Sequence, residues 1–174
     1  MPKPLACPAI ILCLRKAIEM KTPTRILMVC LGNICRSPLA EYVLRQQLQQ
    51  AGLAAHVQVA SAGTSGWHNG ENMHQGSLKT LQQHGIDPSG FRSRQVCTHD
   101  GQDFDYLIAM DNDNLAELER LFGHQPDKIF KITDLAPALG YDHVPDPYYT
   151  GDFDETHRIV SAAAAVLVQR LQQG

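Results

Sequence analysis

A chain of 174 residues with 44% hydrophobic and 19% charged side chains has room for one packed core, which excludes a disordered or fibrous polymer. Its formal net charge of −3 argues against nucleic acid or an anionic membrane as the main partner. Five irregularly spaced cysteines do not make a disulfide scaffold, and a free reactive thiol suits a reducing compartment, the cytoplasm.

Residues 1–24 read as an amino-terminal extension of uncertain structure. The apolar run Ala9–Leu14 falls far short of the ~20 residues that span a bilayer. Arg15, Lys16 and Glu19 follow it where a signal peptide would place small residues, and Met20 is an alternative start. From Arg25 onward strands and helices alternate. Ile26–Cys30 reads as a buried strand, and Pro38–Ala51 as a helix ending at Gly52, with Ala40, Val43, Leu44, Leu48 and Ala51 on one face. Val57–Ala60 is a second strand, and a helix within Glu71–His84 stops at Gly85. Phe104–Met110 is a third strand, followed by a helix over Asn112–Phe122 that ends at Gly123. Lys128–Ile132 is a fourth strand, and a long loop leads to Asp146. The last helix starts near Asp152, with Asp154 and Glu155 at its positive end.

This alternation predicts an α/β fold: a single-domain, three-layer sandwich around a central four-stranded parallel sheet. Ligands of such sheets bind beyond the carboxyl ends of the strands. The loop after Cys30, then Ser61, Asp111 and the Asp146 loop all emerge at that edge.

The loop Cys30-Leu31-Gly32-Asn33-Ile34-Cys35-Arg36-Ser37 lies between the first strand and the first helix. Backbone amides in such a loop form an anion-binding nest, and the helix adds its positive end. The same field favours the thiolate of Cys30, which is the nucleophilic form. Gly32 and Asn33 tolerate unusual backbone angles. Arg36 offers a planar fork to two oxygens of a phosphoryl group. Ser37 is suited to cap the helix or to donate to the Cys30 sulfur, with Pro38 in the first helical position. A buried, inert cysteine is the competing interpretation of the bare spacing.

Downstream, Pro145 and Pro147 stiffen the chain around Asp146, and Tyr148 and Tyr149 follow. A carboxylic acid here can protonate a phenolate-like leaving group, help worth about 10²–10⁴-fold. Ordinary turn chemistry also uses Asp-Pro. The tyrosines can wall a planar substrate ring, and Trp67 stands as a second wall or as a half-buried packing residue.

Together, Cys30 to Pro38 and Asp146-Pro147-Tyr148-Tyr149 resemble the low-molecular-weight protein tyrosine phosphatase family, over about residues 25–171. The resemblance implies Cys30 as nucleophile, Arg36 as phosphate clamp and Asp146 as general acid. It implies phosphate binding by the loop Leu31, Gly32, Asn33, Ile34 and Cys35, and stabilisation of the thiolate by Ser37. It also implies a rim of Trp67, Tyr148 and Tyr149, and loop support from Asn33, Ser61 and Asp111. No metal or cofactor is expected. The implied substrate is a phosphotyrosine protein, with a tyrosine kinase as one candidate, and neither nucleic acid nor membrane is a partner. Ile34 stands where related arginine-phosphate phosphatases carry threonine, which favours an aryl phosphate. Arsenate reductases share the loop, but the thioredoxin-coupled type needs two further downstream cysteines, and only Cys97 occupies that region. A non-catalytic phosphotyrosine reader would lack Cys30 or Asp146. Many relatives carry a histidine where this chain has Phe91, so loop support is expected from elsewhere. Cys35 is placed to form a reversible disulfide with an oxidised Cys30.

Overall fold

The structure, a computed structural model, describes residues 22–173; the apolar run and Met20 lie outside them. Strand β1 (Thr24–Cys30) is followed by helix α1 (Arg36–Gln50), β2 (Val57–Gly63) and α2 (Gln75–Gln83). Then come one-turn α3 (Asp100–Asp103), β3 (Tyr106–Ala109), α4 (Asn112–Phe122) and β4 (Ile129–Lys131). Two 3₁₀ turns (Ile132–Leu135, Pro137–Leu139), one-turn α5 (Pro147–Thr150) and α6 (Phe153–Gln173) complete the order.

The four strands pair in parallel in the order β2-β1-β3-β4. A parallel strand covered on both faces reads as a continuous apolar run, and Ile26 to Val29 are all fully buried. Ile26 and Met28 face a core shared with α1 and α6, while Leu27 and Val29 face a smaller core with Leu118 of α4. That division makes the three expected layers.

Register decides where the chemistry falls. Cys30 pairs with Gly63, and Val29 with Ala109, so Cys30, Ser61 and Asp111 leave the sheet at one edge. The loop before Asp146 is tied to the same edge by Val144 N–H donating to the Met110 carbonyl at 2.9 Å.

Several boundaries are sharper than or differ from expectation, β3 and β4 being shorter than expected. Helix α2 starts at Gln75, because the His74 N–H is already donated to the Ile34 carbonyl and its imidazole accepts from Gly76 N–H. Strand β2 runs on to Gly63, held to β1 along its whole length. The connection to Asp146 is broken into two 3₁₀ turns, anchored by Lys131, whose Nζ lies 2.7 Å from Asp142.

Candidate active site

The loop after β1 is shaped by where its carbonyls go. Thr64 N–H donates to Cys30 O at 2.9 Å, and Ser65 N–H to Leu31 O at 2.9 Å. Ser93 Oγ reaches Gly32 O at 3.4 Å and Ser77 Oγ reaches Cys35 O at 3.0 Å, while His74 N–H donates to Ile34 O at 2.8 Å. In a trans peptide the next N–H points opposite to the carbonyl, so carbonyls held outward turn amides inward. Among the described residues, none of the amides of Leu31 to Arg36 donates to a protein acceptor, leaving them for an anion. Asn33 supplies the bend with φ of 54°, a left-handed conformation that asparagine accepts better than most residues. The end of β2 lies so close that a Cβ on Gly63 would sit 2.7 Å from Leu31 O.

Beneath the loop a hydrogen-bonded chain supports the thiol. Cys30 is buried, its sulfur 3.1 Å from Ser37 Oγ. Asn33 Nδ2 donates to Ser37 Oγ at 2.8 Å and to Ser61 Oγ at 2.9 Å. Ser61 in turn donates to the buried carboxylate of Glu41 at 2.5 Å. With its lone pair engaged by Asn33, the Ser37 hydroxyl has its proton for the sulfur, which lies nearer than Ala62 O at 3.4 Å. The N-cap expected of Ser37 is instead Cys35, and Pro38 is the third helical residue. That position is harmless, because amides of the first turn have no intrahelical partner.

Phe91 departs from the family histidine without leaving Asn33 loose. Its ring is buried edge-on to Tyr42 at 6.3 Å, and Asn33 Oδ1 accepts from Arg94 N–H at 3.0 Å. The Arg94 side chain forks onto Asp100 at 2.9 and 3.0 Å. Burial works against the Asp100 charge, yet the Arg94 bonds and the Cys97 N–H hold its carboxyl below the ordinary carboxylate range. Glu41 was not singled out from sequence. It is the one charged residue in the stretch Ser37–Leu44, and that was the available signal. Burial pushes its carboxyl up, opposed by Arg45, Ser61 and Arg94.

Arg36 is gripped by two aspartates. Its Nη1 lies 2.7 Å from Asp111 and 3.1 Å from Val144 O, and its Nη2 lies 3.1 Å from Asp146. Each aspartate is also a helix N-cap: Asp111 accepts from Asn114 N–H at 2.7 Å and Asp146 from Tyr148 N–H at 3.0 Å. Turn chemistry and proximity to the loop therefore coexist in Asp146. Burial disfavours the Arg36 charge, but Cys30, Asp146 and Asp111 together raise its affinity for the proton.

Above this floor lies a cavity of about 210 Å³, lined also by Leu31 and Ile34. Tyr148 and Tyr149, 60% and 79% exposed, stand on one side, packed edge to face. Trp67 is 76% exposed, so it is a rim residue and not a packing one. His68, absent from the sequence-based set, also lines the cavity, its Nδ1 2.8 Å from Glu71. A larger groove of about 880 Å³ opens at the opposite end of the sheet, between Leu53, Phe130 and Leu171, but no thiol lines it. Among the described residues, thiol, guanidinium, carboxyl group and free amides meet in the smaller cavity alone.

Known proteins resemble this chain over most of its length. The low molecular weight protein-tyrosine-phosphatase YfkJ of Bacillus subtilis is 39% identical over 149 residues, covering 85% of this chain and 96% of the relative. PtpA of Staphylococcus epidermidis, another low molecular weight protein-tyrosine-phosphatase, is 39% identical over 140 residues, covering 80% and 88%. The crystal structure of YfkJ superposes with a TM-score of 0.85 at 36% identity, covering 89% of this chain and 98% of that one. A product-state mimic of a protein tyrosine phosphatase from Entamoeba histolytica gives 0.81 at 37%, covering 87% and 97%. Residues 25–174 match the family profile itself, and the chain belongs to the low molecular weight phosphotyrosine protein phosphatase family.

Proposed function

We infer that this protein hydrolyses phosphotyrosine in proteins through a cysteinyl-phosphate intermediate. The observation that carries the reading is the single cavity in which the Cys30 thiol, the unpaired loop amides, Arg36 and Asp146 meet. The Cys30 thiolate attacks phosphorus in line with the ester oxygen while the amides and Arg36 hold the equatorial oxygens. The P–O bond breaks, and Asp146, as the acid, gives its proton to the departing tyrosine. Asp146, now a carboxylate, takes a proton from water, whose oxygen attacks phosphorus. The S–P bond breaks, and inorganic phosphate and the thiolate return.

Ser37 steadies the sulfur anion at the start and end of this cycle. Asn33, Ser61 and Asp111 keep loop and clamp in register, and Trp67, Tyr148 and Tyr149 flank the substrate ring. The single downstream thiol, Cys97, is exposed and unaccompanied by a second, which leaves the arsenate chemistry without support. Substrates are phosphotyrosine proteins, and a tyrosine kinase of the same cell is a candidate. Free thiols at Cys30, Cys35 and Cys97 suit a reducing cytoplasm. Among the described residues no helix is long and apolar enough to cross a membrane.

The test pairs two variants on aryl phosphates of graded leaving-group acidity. Cys30→Ser should abolish turnover. Asp146→Asn should slow poor leaving groups by about 10²–10⁴-fold and good ones far less. Substantial turnover by the serine variant, or equal losses across the series, would overturn the assignment.

A further inference from the structure

The Cys35–Arg36 peptide closes the anion cradle, and its orientation does not follow from helix geometry alone. Cys35 is an N-cap with φ of −113° and ψ of −81°, outside the helical region. Its carbonyl accepts the first intrahelical bond from Leu39 N–H at 3.4 Å, longer than the ordinary 2.7–3.2 Å. The nearer donor is Ser77 Oγ at 3.0 Å, from a side chain with no solvent exposure, 42 residues along the chain. Helix α2 delivers that hydroxyl from a fixed place. The His74 ring stacks on Phe153 at 5.0 Å and 11°. Gly76 lies against the same ring, where a Cβ would come within 2.3 Å of it.

We propose that Ser77 is a positioning residue for the phosphate cradle: by holding the Cys35 carbonyl outward, it aims the Arg36 N–H at the bound phosphoryl group. This rests on the phosphatase reading above. Ser77 touches neither substrate nor sulfur, so its effect passes wholly through one peptide plane. Removing the hydroxyl leaves that carbonyl with a single long bond and lets the plane tilt. The inward amide then loses alignment with any anion in the cradle, phosphate and the carboxylate of iodoacetate alike.

The experiment measures competitive inhibition by inorganic phosphate, protection of Cys30 by phosphate against iodoacetate, and the alkylation rate at mildly acidic pH. Ser77→Ala should weaken phosphate inhibition about tenfold, as expected for a misaligned bond to a charged group. It should also slow alkylation and raise KM more than it lowers kcat. Ser77→Thr, which keeps the hydroxyl, should restore all three. Val168→Ala, a truncation in α6 away from the loop, should lower Tm without moving phosphate inhibition. If Ser77→Ala lowers Tm yet leaves phosphate inhibition and alkylation at wild-type values, or if threonine fails to rescue, the proposal is wrong. Should the alanine variant not fold, Ser77→Cys, a weaker donor of similar size, carries the same comparison. Failure of the wild type itself to bind phosphate or turn over an aryl phosphate would instead overturn the phosphatase reading.

Discussion

The Cys35 thiol, as distinct from its peptide group, is expected to stay out of turnover and to act only under oxidation. Burial pushes its thiol up to about 12, with the neighbouring Cys30 and Asp146 charges adding and Arg36 opposing. It therefore stays protonated beside a reactive sulfur. We expect peroxide to oxidise the Cys30 thiolate to a sulfenic acid, from which the Cys35 sulfur displaces hydroxide, the proton it sheds completing a water molecule as the disulfide forms. Cys35→Ser should keep near-wild-type kcat/KM, yet after peroxide its activity should not return with dithiothreitol, whereas wild type recovers. Equal recovery of both would remove the role. At this scale the residues that meet in the cavity were legible, because Cys30 and Arg36 sit at a fixed spacing between a strand and a helix start. Two of their supporters, Glu41 and Ser77, were not. Glu41 reaches Ser61 across 20 residues and Ser77 reaches Cys35 across 42, and nothing local in the chain announces such bonds.

Helix α2 is clamped to α6 at both ends. Beyond the His74–Phe153 stack, His84 stacks on His157 with centroids 3.6 Å apart at 12°. Burial, and then the His84 neighbour, lower the proton affinity of His157, while Asp154 opposes. The native state thus prefers His157 neutral, and the unfolded chain takes up its proton near pH 6.5. Stability from this contact is complete above that pH and is lost as pH falls through it toward the lower native value. Thermal unfolding from pH 7.5 to 5 should therefore fall less steeply in His157→Gln than in wild type, once carboxylate effects common to both are subtracted. Parallel curves would exclude the stack as an acid-sensitive contact. Element ends were legible where glycine marks them: Gly52, Gly85 and Gly123 follow three helices with φ of 72°, 71° and 85°. The start of α2 was not, because its first amides are claimed by the catalytic loop and by an imidazole.

At the scale of the molecule, the described residues that line the cavity all lie between Cys30 and Tyr149, and the bonds that shape it come from the carboxyl edge of the sheet, from helix α2 and from Ser93 and Arg94. A protein beginning at Met20 should therefore retain wild-type kcat/KM on an aryl phosphate; a marked loss would assign residues 1–19 a part in the site. The parallel sheet was legible because strands and helices alternate, and its order put Cys30 at a central strand's end. The tie of Val144 to Met110 was not, since a loop's docking depends on a register that its own sequence does not display. In the proposed reaction the phosphoryl group is held largely by main-chain dipoles, joined among the described lining residues by one Lys or Arg side chain, Arg36. Leu31 and Ile34 would contribute peptide groups to that grip, and both residues line the cavity. Selection can therefore vary those two positions to fit new aromatic partners while the bond-breaking apparatus stays intact.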